Sequence, residues 1–97
     1  MEPWQRRLAD EQAPLYTIGV VAELLDVSVQ VVRRYDGQGF VQPERTRSGQ
    51  RRYSRADIGR LARVLRLAAE NIPVSGIMRI LELEDRLEAH AGSGSDR

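Results

Sequence analysis

Seven side chains in one stretch of this sequence carry the chemistry needed to grip a polyanion. Gln30, Arg33 and Arg34 stand at helical spacing within SVQVVRRYD, and Arg45, Arg47, Arg51 and Arg52 crowd into ERTRSGQRRYS. A guanidinium presents a planar fork of donors that fits a phosphate or the edge of guanine, and a glutamine amide can bond adenine through two atoms. Around them, Val29 offers methyl groups to a thymine. Thr17 and Ser28 place hydroxyls and helix-start N–H groups where a phosphate could sit. Tyr35 and Tyr53 bring hydroxyls that could reach a backbone oxygen. Each residue also has a plainer use. An arginine pair on a short helix can be a solvated face, Tyr35 and Tyr53 can be core aromatics, and Thr17 and Ser28 are helix caps first. The case for nucleic acid rests on their order and spacing together.

Two short helices and a hairpin must position these groups. Thr17 is a good N-cap, and Ile18, Val21, Ala22 and Leu25 recur behind it at helical spacing. Asp26-Val27 breaks the pattern, and Ser28 caps a second helix over residues 28–36. Gly37 and Gly39 end it. Phe40-Val41 reads as a short strand stopped by Pro43. Residues 44–50 form a loop with Ser48-Gly49 at its tip, and Arg51-Arg52-Tyr53 is the return strand. Ser54 and Asp57 make an S-x-x-D capping box at the head of a third helix. Its apolar stripe is Ile58, Leu61, Ala62, Leu65, Ala68 and Ala69. That helix frays at Asn71, and Pro73 starts a fourth. There Val74, Ile77 and Leu81 share one face, while Ile80, Leu83 and Leu87 form a second seam suited to a partner. Residues 1–14 show no helical face and read as a flexible arm. Residues 15–90 form the binding domain with a short dimerisation helix, and 91–97 a flexible tail. The fold class is mainly α, a winged helix-turn-helix with a short two-stranded β wing.

Charge supports the same division. Residues 1–27 carry two Arg against five acids, residues 28–66 ten Arg against three, and residues 67–97 three Arg against six. The net charge of +1 therefore hides a strongly basic middle, the electrostatic footprint of a polyanion binder. All fifteen basic residues are Arg, which a GC-rich genome explains as well as function does. Without Cys and with one His, at position 90, no disulfide, thiolate site or zinc cluster is expected, and no cofactor is. No apolar run approaches the roughly 18 residues of a membrane span. No secretory signal is visible, so a cytoplasmic, nucleoid-associated location is expected. No base, nucleophile and orienting group converge, so no enzyme is expected.

The motifs resemble the MerR family of bacterial regulators. Tyr16-Thr17-Ile18-Gly19 is similar to that family's opening helix. Val27-Ser28 with Arg33, Tyr35 and Asp36 matches its second, and Gly39 and Pro43 the turn after it. Gly49-Gln50-Arg51-Arg52-Tyr53-Ser54 matches the wing return, with Asp57-Ile58 opening the next helix. The wing and the Leu81-Glu82-Leu83-Glu84 ending resemble the heat-shock repressor branch. The resemblance implies a regulator that binds double-stranded DNA, dimerises through a long C-terminal coil and deforms a promoter. Only about ten residues follow Leu81 before the glycine-serine tail, and no effector domain is visible. The expectation is therefore a repressor or architectural protein, a weak homodimer through Ile80, Leu83 and Leu87, with a protein co-regulator such as a chaperone. Two other readings share the fold: an excisionase-like DNA bender, and a protein-interaction adaptor using that seam.

Overall fold

The computed structural model describes the backbone of residues 2–94 and the side chains up to residue 91. The order is α1 (Pro3–Ala9), α2 (Ile18–Leu25), α3 (Val29–Gly37), β1 (Glu44–Arg45), β2 (Arg51–Arg52), α4 (Arg55–Ala69) and α5 (Val74–Gly94). The chain divides into two compact units, residues 1–63 and 64–97, with the boundary inside α4.

In the first unit, α2 and α3 form as their caps and spacing dictate. Thr17 Oγ1 accepts the Val20 N–H and Ser28 Oγ the Val31 N–H, both at 3.3 Å. Asp26 takes the left-handed conformation, φ 56°, which Asp tolerates better than most side chains. Val27 N–H then reaches back to the Ala22 carbonyl at 3.0 Å, closing α2 and turning the chain into α3. Val21, Ala22, Val32, Val41, Tyr53 and Leu61 form one buried cluster, with Ile18, Leu25, Val29, Tyr35 and Ile58 packed against it. Phe40 is buried as well, edge-on to Tyr35 with ring centroids 5.9 Å apart. The expected strand at Phe40-Val41 is absent. Both side chains are spent on the core, and strand pairing begins after Pro43, which has no N–H to give a ladder.

The hairpin pairs Glu44 with Arg52 and Arg45 with Arg51. Thr46 N–H to the Gln50 carbonyl, at 2.7 Å, extends it by one rung. The Gly49 N–H returns to the Thr46 carbonyl at 2.9 Å, and Gly49 has φ 85°. A tight turn followed by a left-handed residue is a common three-residue hairpin loop, and the left-handed site favours glycine. At the base of the wing, Tyr16 and Tyr53 form an antiparallel bridge through both backbone bonds, 2.9 and 2.7 Å.

Within residues 1–14, where the sequence shows no apolar helical face, a short helix forms that buries no residue. Pro3–Ala9 is helical, with Pro at the start and the Gln5 side chain accepting the Glu2 N–H at 2.7 Å. Its end is held against the head of α4 by Arg55 Nη2 to the Ala9 carbonyl, 2.8 Å, and the Ala56 N–H to the Glu11 carbonyl, 3.0 Å. The capping box at Ser54 and Asp57 is closed in both directions, at 2.9 and 3.0 Å.

In the second unit, Val64, Leu67, Ile77 and Leu81 are buried. Of the expected stripe of α4, Leu61 is buried, Ile58, Ala62, Leu65 and Ala68 are half-buried and Ala69 is exposed, while Val64 and Leu67, outside that stripe, are inside. Asn71, at φ 64°, ends α4, with its N–H on Ala68 and the Ile72 N–H on Leu67, and Pro73 follows. At Gly76 an added Cβ would lie 2.9 Å from Ile72 Cγ2, so only glycine fits without a shift. Helix α5 continues through Gly94, so residues 91–94 are helical where a tail was expected; residues 95–97 lie outside the described residues.

Candidate nucleic-acid interface

On α3 the geometry separates reading groups from core groups. Val32 and Asp36 are buried on one side, and Val29 and Tyr35 pack partly into the core. Gln30, Arg33 and Arg34 are exposed, and spacings of three and four residues put them on one face. Thr17 and Ser28 are exposed at their helix starts. Each hydroxyl accepts one backbone hydrogen as a cap and keeps its own hydrogen to donate.

The wing supplies the second wall. Arg47 is exposed at the tip. Arg45 Nη1 donates to the Gly49 carbonyl at 3.1 Å, bracing the turn. Arg52 Nη1 donates to the Arg51 carbonyl at 3.3 Å and reaches Gln50 Oε1 at 3.5 Å. Between the start of α2, the outer face of α3 and the wing lies an open groove of about 590 Å³. Arg33, Arg45, Arg51 and Arg52 line it against one carboxylate, Asp36. Among the described residues, Arg33, Arg34 and Arg47 make no ion pair.

Two residues differ from their expected places. Tyr53 is fully buried, so it is not a surface contact, and its hydroxyl donates to Asp36 Oδ2 at 2.6 Å. Burial first, then the hydrogen bond to the Asp36 carboxylate, holds its phenol protonated well above the usual tyrosine range. Arg51 is half-buried and donates to the other oxygen of the same carboxylate, Asp36 Oδ1, at 3.2 Å. Asp36 itself was not among the expected site residues. Its partners lie 15 and 17 positions along the chain, and no local pattern announces them.

Farther along, Leu83 and Leu87 are exposed, at 43% and 70%, whereas Ile80 is half-buried and Ile77 and Leu81 are inside. The described residues hold no helix long and apolar enough to cross a membrane and no cluster of three or more potential metal ligands.

Comparison with known proteins places this geometry. The family described as MerR HTH family regulatory protein matches residues 16–84. A protein of Streptomyces coelicolor named as a putative heat shock protein HspR is 44% identical over 78 residues, covering 79% of this chain and 52% of that protein. The transcriptional regulator GlnR of Bacillus anthracis is 30% identical over 73 residues, covering 75% of this chain and 57% of that one. The chain thus spans about half the length of these relatives. HiNmlR, a MerR family regulator lacking the sensor domain, has been solved bound to promoter DNA. It superposes with a TM-score of 0.66 at 25% identity, over 82% of this chain and 67% of that one.

Proposed function

The chain belongs to the MerR family of helix-turn-helix regulatory proteins, and from that membership we propose that it is a sequence-specific, DNA-binding transcription regulator and not an enzyme. The observation that carries this reading is the groove: Arg33 from the exposed face of α3 and Arg45, Arg51 and Arg52 from the wing line one cleft, with a single, already paired carboxylate, while Gln30, Arg34 and Arg47 are exposed outside it. In this reading α3 lies in the major groove of double-stranded DNA, with Gln30, Arg33 and Arg34 at base edges. The starts of α2 and α3, at Thr17 and Ser28, meet phosphates, and Arg45, Arg47 and Arg52 follow the backbone or the minor groove. Repression by occupying a promoter needs nothing beyond these parts. Residues 15–90 form the binding domain with its short dimerisation helix, and the protein works in the cytoplasm, on the nucleoid.

Pairing uses Ile80, Leu83 and Leu87. Its exposed residues, Leu83 and Leu87, lie about one turn apart on the 21-residue α5, so the apolar area they offer a partner is small. The homodimer is therefore weak in free solution and completed on DNA, or replaced by a co-regulator such as a chaperone on the same seam. The test is the salt dependence of binding to a genomic fragment. If the groove and wing neutralise roughly six phosphates, log K falls with log salt at a slope near −5, about −0.9 per contact. Affinity that does not change with salt removes the reading.

A further inference from the structure

Asp36 stands where an acid is poorly placed. It lies at the C-terminal end of α3, the negative end of the helix dipole, and only 8% of it is exposed. A buried carboxylate needs hydrogen-bond partners, and both described partners come from the wing. Arg51 and Tyr53 are two residues apart on the return strand, so strand alternation points them to the same side. Their donors divide the carboxylate between them: Tyr53 Oη on Oδ2 at 2.6 Å, Arg51 Nη1 on Oδ1 at 3.2 Å. An apolar contact would hold two elements together without fixing an angle. Two directional bonds on one planar group fix the wing against α3.

We propose that Asp36 is the positioning residue that sets the phase between the base-reading face of α3 and the wing, and that Arg51 is a strut in that device and not a phosphate contact. The inference rests on the DNA-binding reading above. One carboxylate keeps Arg51 turned inward, leaving Arg45, Arg47 and Arg52 to the backbone. The wing then meets the duplex at one distance from the α3 contacts. Loss of the tie frees a cation for phosphate while letting the wing drift. Affinity and specificity consequently part company.

The experiment compares wild type, Asp36→Asn and Arg51→Gln on a duplex selected by the wild-type chain and on a random duplex, across a salt series. Circular dichroism reports whether each variant is folded. For Asp36→Asn, binding to the random duplex is retained or strengthened, and the salt slope steepens by about 0.9, one additional phosphate contact. Preference for the selected duplex falls at least about tenfold, the discrimination of one good base contact. Arg51→Gln loses the same preference with no change in slope. In the Asp36→Asn background it removes the added slope and little further preference, as two members of one device behave. A folded Asp36→Asn with undiminished preference overturns the proposal. So does an Arg51→Gln that keeps its preference and loses about 0.9 of slope, because Arg51 would then be an ordinary phosphate contact. If Asp36→Asn does not fold, the Arg51→Gln result decides alone, since Arg51 is part-exposed and its removal leaves the Tyr53 bond in place. Wild-type protein with no salt-dependent binding overturns this inference and the reading beneath it together. Binding by wild type with preference intact in both folded variants overturns this inference only.

Discussion

If Gln30 and Arg33 meet base edges and Arg47 meets the backbone, as proposed, substitution separates them. Losing a base contact by Arg33→Ala or Gln30→Ala costs about 1–3 kcal/mol of binding and relaxes preference at one base position. Arg47→Ala, at the exposed wing tip, weakens all sequences alike and reduces the salt slope by about 1. Selection experiments on the three variants distinguish the classes, and equal effects on preference show that the reading face is misassigned. Tyr53 carries a prediction of another kind. Its phenol is held protonated in the folded chain, by burial and by Asp36, and titrates near 10 when unfolded. A raised folded pKa contributes stability that is fully present below about pH 10 and is lost as pH rises above it. Stability against denaturant should thus fall on the alkaline side, and Tyr53→Phe should flatten that limb. The same substitution leaves a buried carboxylate oxygen without its donor and costs about 1–3 kcal/mol at neutral pH. An alkaline limb unchanged in the variant removes Tyr53 as its source. The arginines were legible in the sequence because they are a composition signal. The roles of Tyr53 and Arg51 were not, because they are set by a carboxylate distant in sequence.

At the scale of elements, caps were readable wherever the side chain and its backbone partner are three residues apart. Thr17, Ser28 and the Ser54–Asp57 box all close as their spacing requires. Ser54→Ala should cost about 1 kcal/mol of stability, the usual loss for a helix N-cap, measured by thermal or denaturant unfolding. A neutral result means α4 does not depend on its box. Helix α1 was missed although Pro3 and Gln5 are both start signals, because seven residues offer too little periodicity to outweigh a polar composition. The strand at Phe40-Val41 was misplaced because two apolar residues before Pro43 read equally as strand or as core. The partly misread stripe of α4 has the same origin: Val64 and Leu67 lie among so many alanines and leucines that several faces look apolar. The two ends of α4 were clear, and the face it buries needed the tertiary structure.

For the molecule as a whole, the uneven distribution of charge was the signal that composition alone hides, and four of the ten arginines in the basic middle line one groove. The sequence shows a change of helical face on α5; of the three residues on the second face, Leu83 and Leu87 are exposed and Ile80 is half-buried. If that seam pairs two copies on DNA, Leu83→Glu with Leu87→Glu abolishes cooperative binding to two neighbouring half-sites. It leaves folding and single-site affinity intact, because neither side chain is buried. Sedimentation that finds a tight dimer of the free wild-type protein at nanomolar concentration contradicts a weak pair. The central claim is that α3 and the wing together read a particular DNA sequence. Its most direct measurement is selection from a random duplex library by the wild-type protein and by Arg33→Ala, followed by sequencing. The account predicts a short enriched motif with wild type and the loss of preference at one position of that motif with the variant. Sequences indistinguishable from the input library, recovered at low salt with folded wild-type protein, contradict it.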